Sequence, residues 1–164
     1  MHIHLDTTGG IAGNMFTAAL LDLWPELAAQ LPAQLVSAGF ADLVTLEVSP
    51  KNDGILAGTY VAVHEVAKAA KSVLSPQAPK EHPHRSWLQI RTLLEDSRLA
   101  PKVKTHALGI FAYLAAAEAR VHGKKVEAIE FHEVGAWDSI ADIVCAAFLI
   151  DACGTCSWSV SSLP

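Results

Sequence analysis

The sequence predicts a single domain of α/β (or α+β) class, a mixed β-sheet packed against helices. Two observations carry this. Short β-rich runs at residues 3–6, 43–48, 55–63, 128–132 and 156–160 alternate with segments whose apolar residues recur at helical spacing. A chain of 164 residues, 51% hydrophobic and 18% charged, is also long enough for one core and too apolar for disorder.

The elements follow in order. Residues 3–6 form a short strand that enters the turn Thr7-Thr8-Gly9-Gly10-Ile11-Ala12-Gly13. A helix over 14–24 is expected to place Met15, Ala18, Ala19, Leu20 and Leu23 on its apolar face. Pro25 suits the first turn of a second helix reaching Ala38, with Pro32 a candidate break and Gly39 its end. Runs 43–48 and 55–63 flank Lys51-Asn52-Asp53-Gly54 and read as a hairpin. Residues 67–84 hold Pro76, Pro79 and Pro83 with no apolar period, and are expected to be a mobile loop. Ser86 caps a helix through Ile90, Leu93 and Leu94. A longer helix over 101–122 turns Val103, Ala107, Ile110, Phe111, Leu114 and Ala115 inward, and Gly123 stops it. A strand or extended segment over 128–132 precedes a last apolar helix, capped by Asp138 or Ser139 and reaching Ala152. Residues 156–160 form the final strand.

Charge and cysteine usage narrow the function classes. A net charge of −5 with no basic stripe argues against nucleic acid as a partner. The apolar stretch 140–150 is interrupted by Asp142 and too short to span a bilayer, and the first residues do not read as a signal peptide. Three cysteines without framework spacing fit a reducing cytoplasm. Eight histidines are the unusual count and direct attention to metal chemistry.

Three constellations could carry chemistry. The first runs from Asp6 to Met15. A strand ends in a carboxylate, glycines allow close backbone approach, and a helix start offers free N–H groups to an anion. Asp6, Gly9, Gly10, Gly13 and Asn14 are its phosphate-binding candidates, against the plainer reading of a tight strand-to-helix turn. The second is His82-Pro83-His84-Arg85: two imidazoles suited to nickel or zinc, and a guanidinium suited to phosphate. A solvated polar loop is its plain alternative. The third is 131–139, in which His132 and Glu133 adjoin on a strand end, so that one is expected to face inward. Asp138 and Asp142, four apart, share a helix face there, where they could simply favour the helix dipole. Elsewhere, Glu118 and His122 form a helical pair that reads as a structural cap. Cys153-Gly154-Thr155-Cys156 has C-x-x-C spacing without a second pair, and Cys145 reads as core.

Together these segments resemble the LarC-type nickel-insertion family. Asp6-Thr7-Thr8-Gly9-Gly10-Ile11-Ala12-Gly13-Asn14-Met15 is similar to the opening motif of that family, with Asn14 where an Asp is usual. The stretch His82-Pro83-His84-Arg85-Ser86, ending in Ile90-Arg91, resembles a second motif, and Glu118-Ala119-Arg120-Val121-His122-Gly123 a third. The run from Phe131 to Ile143 matches the most distinctive motif without a gap. The resemblance implies CTP-dependent cyclometallation, in which nickel enters pyridinium-3,5-bisthiocarboxylate mononucleotide to make the nickel-pincer cofactor of lactate racemase. Within that reaction the imidazoles of His82, His84 and His132, with Glu133, suit the metal; Glu133 or His132, with Asp138 beside them, suits the proton displaced from the ring carbon, and the sequence does not rank the two as base. Asp6, Gly9, Gly10, Gly13, Asn14 and Arg85 would hold the substrate phosphate. CTP, with Mn²⁺ or Mg²⁺, is expected mainly on a C-terminal part beyond residues 1–164, in the same protein or a separate subunit, and homo-oligomerisation stays open. Two other readings stand beside this one: a nickel-binding and delivery module with no catalysis of its own, and a metal-free domain that binds an anion or nucleotide.

Overall fold

The computed structural model describes residues 1–66, 85–132 and 134–163. It is a mixed α/β domain, as the sequence predicts. In chain order the elements are β1 (His2–Leu5), α1 (Gly13–Leu23), a 3₁₀ segment (Pro25–Gln30), α2 (Leu31–Ser37), β2 (Val44–Asn52), β3 (Ala57–Glu65), β4 (Arg85–Ser86), α3 (Trp87–Asp96), α4 (Pro101–His122), a 3₁₀ turn (Val126–Ala128), β5 (Glu130–Phe131), α5 (Trp137–Ala152) and β6 (Ser157–Val160).

Among the described residues the strands pair two by two: β1 with β6 in parallel, β2 with β3 and β4 with β5 antiparallel. The parallel pair joins distant parts of the chain. Ser157 N–H donates to the Met1 carbonyl at 3.1 Å and Ser161 N–H to that of Leu5 at 2.9 Å. His2 shares hydrogen bonds with Ser157 and Ser159, and His4 with Ser159, so these two imidazoles are engaged with the neighbouring strand.

The core is organised around α5. Ile140, Ala141 and the unbroken run from Val144 to Leu149 are all buried, which leaves this helix almost no solvent face. It packs on α4, α1, α2 and β3. The face of α4 that meets the core is a ridge at i, i+4 spacing: Val103, Ala107, Phe111, Ala115 and Ala119. Three alanines in that ridge permit close helix approach, and Phe111 fills the space beneath Trp87 and Phe131 at centroid distances of 6.4 and 6.0 Å. Each such buried aromatic or leucine contributes about 1.5–3 kcal/mol by leaving water.

Local chemistry sets the boundaries. Ser86 caps α3 as expected: its side chain accepts from the Gln89 amide, and the Gln89 side chain accepts from the Ser86 amide. Gly123 ends α4 at φ 61°. Asp53, in the hairpin turn, accepts from the Ile55 and Leu56 amides at 2.9 and 2.8 Å, and this holds its carboxyl below the usual range.

Several expectations are corrected. The helix expected over 25–38 is a 3₁₀ segment followed by α2, with Pro32 in the first turn of α2, where its missing N–H costs nothing. Met15 and Leu23 are half exposed, at 50% and 51%. The inner face of α1 runs instead through Thr17, Leu20 and Leu21, because the close contact with α5 falls at Gly13, four residues before Thr17. Ile110 and Leu114 are only partly buried, since the ridge continues to Ala119. Neither Asp138 nor Ser139 caps α5: the N-cap is Ala136, and Asp138 lies inside the first turn. The expected loop at 67–84 lies outside the described residues.

Candidate functional site

Two of the three constellations meet at the beginning of α5, and Arg85 from the other joins them. Strand β4 sets Arg85 opposite Phe131 of β5. The Arg85 guanidinium lies 3.7 Å from the centre of the Trp137 ring and donates to the Gly135 carbonyl. Gly135 is required there: a Cβ would stand 2.6 Å from the Phe131 carbonyl oxygen and 3.2 Å from the Arg85 nitrogen. Glu65, the last residue of β3, accepts from the Trp137 amide at 2.7 Å, a carboxylate on the positive end of α5. Burial lowers the pKa of Arg85, and the charge of Glu65 opposes that shift. Arg85 therefore ties β4, the turn before α5 and the first residue of α5 together.

The start of α1 docks on the next turn of α5. A Cβ on Gly13 would lie 2.7 Å from Asp142 Cβ and 2.9 Å from Asp142 Oδ2, so only glycine permits this approach. The Asn14 backbone N–H donates to the Asp142 carboxylate. The helix start expected to receive an external anion thus faces a carboxylate of the chain itself. Burial pushes the Asp142 carboxyl up to about 6, the charge of Asp138 adds to the rise, and the Asn14 hydrogen bond opposes it. Asp142 Oδ1 is buried with no hydrogen-bond partner among the described residues, as is Thr17 Oγ1 on the same face of α1 as Gly13. One turn earlier, Asp138 Oδ1 accepts from the Ser139 amide at 2.7 Å.

The remaining candidates are placed as follows. Asp6 closes its own turn, accepting from the Thr8 amide at 3.2 Å and the Thr8 hydroxyl at 2.5 Å, which lowers its pKa. Gly10 takes φ 89° and donates to the Thr7 carbonyl at 2.8 Å, while Gly9 stands in open space. Asn14 is held locally: its Oδ1 accepts from the Met15 amide at 2.9 Å and its Nδ2 donates to the Val61 carbonyl at 3.3 Å. His132 is exposed, next to the buried Phe131. His82, His84 and Glu133 lie outside the described residues. Among the described residues no three His, Cys, Asp or Glu side chains gather into a group that could hold a metal ion.

Glu65 and Trp137 belong to the site without having been candidates, and Asp142, noted beside Asp138 in the sequence, had been given no role. For Asp142 a signal was present, an acid four residues after Asp138 in an apolar helix. For Glu65 there was none, because it reaches α5 across a separation of 72 residues.

Fold and site define a small α/β domain in which two carboxyl groups, Asp138 and Asp142, stand one turn apart where α1 meets α5. The chain belongs to the nickel insertion protein family, which it matches over residues 3–164. It is 39% identical over 156 residues to a protein of Myxococcus xanthus provisionally named a nickel insertion protein, covering 93% of this chain and 36% of that one. It is 38% identical over 161 residues to a protein with the same provisional name from Geobacter sp. strain M21, covering 98% and 38%. It is 39% identical over 148 residues to the pyridinium-3,5-bisthiocarboxylic acid mononucleotide nickel insertion protein of Akkermansia muciniphila, covering 89% and 34%. The chain thus spans little more than a third of the length of these relatives. No solved structure gives a significant match. No helix among the described residues is long and apolar enough to cross a membrane.

Proposed function

We propose that this chain takes part in inserting nickel into pyridinium-3,5-bisthiocarboxylate mononucleotide, acting on the metal and the nucleotide substrate. The observation that carries this reading is the family match over residues 3–164, and the junction where Gly13 of α1 packs on Asp142 of α5, one turn from Asp138, supports it. Nickel insertion breaks a ring C–H bond, forms a nickel–carbon bond and two nickel–sulfur bonds, and releases a proton. A side chain titrating near neutrality can take that proton and return it to solvent. His132 and Glu133 remain the proposed ligands and bases of the reaction, with His82 and His84 as further ligands. Asp138 would act with them at the reacting end of the site. The turn of Asp6, Gly9, Gly10, Gly13 and Asn14 would receive the single mononucleotide phosphate at its open Gly9–Gly10 end, away from the amides that Asp142 and Asn14 Oδ1 occupy, and Arg85 would leave the Gly135 carbonyl to join it. CTP, with Mn²⁺ or Mg²⁺, would act through the remainder of a full-length family member, the product would serve lactate racemase, and the reaction would take place in the cytoplasm.

The test is calorimetric titration of this chain with Ni²⁺, wild type against His132→Ala. The reading expects nickel binding that weakens in the variant. Equal isotherms would remove His132 from the ligand set. No binding by the wild type would favour the alternative of a metal-free anion- or nucleotide-binding domain.

A further inference from the structure

A second cluster of metal-ligating side chains lies at the other end of α5, outside the site described above. The helix closes on Cys153 as its C-cap, Gly154 turns the chain at φ 65°, and Cys156 follows before β6. The Cys156 thiol donates to the Cys153 carbonyl at 2.9 Å, the Cys153 thiol donates to the Ile150 carbonyl at 3.1 Å, and the Cys153 sulfur lies within interaction reach of the Cys156 sulfur. Both cysteines are free and part-exposed, unlike Cys145, which is 1% exposed inside the core. Cys156 also lines a cleft of about 590 Å³ between the first half of α4 and the end of α5, together with His106, Asp151, Lys102 and Trp158. Cys156 thus faces a volume that also holds an imidazole and a carboxylate, while Cys153 stands behind it at the end of α5.

We propose that Cys153 and Cys156 form a second nickel-binding site, a dithiolate completed by His106 or by water, at the end of α5 away from the reacting groups. The naming of nickel rests on the proposed function, whereas the sulfur site itself does not. Sulfur with imidazole suits a borderline-soft divalent ion. Among the described residues no third donor is already gathered, so the preformed part of the site is the sulfur pair alone. Binding replaces two S–H bonds by two S–Ni bonds and releases two protons to solvent, with no change of oxidation state. Because α5 has 16 residues, a rise of about 1.5 Å per residue puts this site on the order of 20 Å from Asp138. At that distance it serves to hold the ion, not to react it.

The experiment titrates the reduced chain with Ni²⁺ and follows thiolate-to-nickel charge-transfer absorption in the near ultraviolet. The band is expected in the wild type and in His132→Ala, to saturate at about one ion per chain, and to vanish in the Cys153→Ser/Cys156→Ser double variant. A band that persists in the double variant, or none in the wild type, overturns the proposal. Mass-spectrometric mapping of iodoacetamide alkylation needs no variant. Saturating Ni²⁺ is expected to slow modification of both cysteines about tenfold or more, because a coordinated thiolate is a poor nucleophile. Unchanged rates at both overturn the proposal equally. Loss of the His132-dependent isotherm with the band intact would count against the proposed function alone, and the reverse result against the sulfur site alone.

Discussion

Gly13 and Asp142 are in direct contact: the position a Cβ on residue 13 would occupy is 2.7 Å from Asp142 Cβ. This joins the Gly-rich turn after β1 to the acidic face of α5, segments that lie far apart in sequence. Gly13→Ala must push the two helices apart, and overpacking of this kind costs about 1–3 kcal/mol. Gly10→Ala meets open space but keeps a backbone at φ 89°, where a side chain costs about 1–2 kcal/mol. The two variants separate in a second measurement. Gly13→Ala is expected to shift the Asp142 titration, followed by carboxyl-carbon NMR, and Gly10→Ala to leave it in place. Equal titrations would mean that the helices do not meet as described.

Asp142 itself makes stability depend on pH. Its carboxyl keeps a proton up to about 6 in the folded chain, against 3.8 for an unperturbed Asp. Between those values folding takes up a proton, so this group lowers stability as pH rises through that window. Above it, the cost of ionising a part-buried carboxylate is fully present. Asp142→Asn removes the cost and keeps an oxygen to accept from the Asn14 amide. The variant is expected to melt higher than wild type at about pH 8, with the gain fading to nothing near pH 4. After allowance for solvent screening, the gain at high pH is on the order of 1 kcal/mol. A gain that is the same at both pH values would assign it to packing and not to the proton.

Arg85 distinguishes a structural tie from a ligand-binding group. The guanidinium already stacks on Trp137 and donates to Gly135, so removing it should be felt without any substrate. Arg85→Ala is expected to cost about 2–3 kcal/mol, the sum of a part-buried cation–π contact and a charge-assisted hydrogen bond. Arg85→Lys recovers only part of it, because an ammonium lacks the planar face that lies on the indole. Denaturant unfolding of the chain by itself measures both. An unchanged midpoint for Arg85→Ala would mean that the residue contributes nothing to the fold and is free to serve a ligand alone.

The order and type of the longer elements were legible in the sequence, because their signals are local. The capping box at Ser86, the stop at Gly123 and the hairpin around Gly54 each depend on a few adjacent residues. Strand pairing was not legible in the same way. The β1–β6 pair and the two-residue strands β4 and β5 are defined by partners more than 40 residues away, with little apolar pattern of their own. The site divides along the same line. The acids of α5 and the glycines after β1 could be picked out by residue type. That Asp142 would sit on Gly13, and Glu65 on the Trp137 amide, follows only from how α1 and β3 pack on α5. Arg85 could be recognised as a cation near the site, but its engagement with Gly135 and Trp137 could not.

The chain is expected to fold alone and not to complete nickel insertion alone. Folding follows from the core described above, in which α5 is covered by α4, α1, α2 and the β2–β3 hairpin, and the parallel β1–β6 pair ties residues 2–5 to 157–160. Such a core should unfold in one cooperative step, with α1, α4, α5 and the β1–β6 pair exchanging their amide hydrogens together at the slow end. Incompetence follows from the nucleotide chemistry. A triphosphate with its divalent ion needs several phosphate-facing amides and a lysine or arginine free to reach them. Among the described residues the first-turn amides of α1 face Asp142 and Asn14 Oδ1, the Trp137 amide of α5 is taken by Glu65, and Arg85 is held on Trp137. The assay combines the purified chain, nickel, the pyridinium mononucleotide and CTP with Mn²⁺ or Mg²⁺, and reads activation of apo-lactate racemase. No activation by this chain, with activity in a full-length relative that is lost when the glutamate and histidine matching Glu133 and His132 are changed to Gln and Ala, is the expected result. Activation by the chain alone would place the triphosphate site within these residues and overturn the division of labour proposed for them.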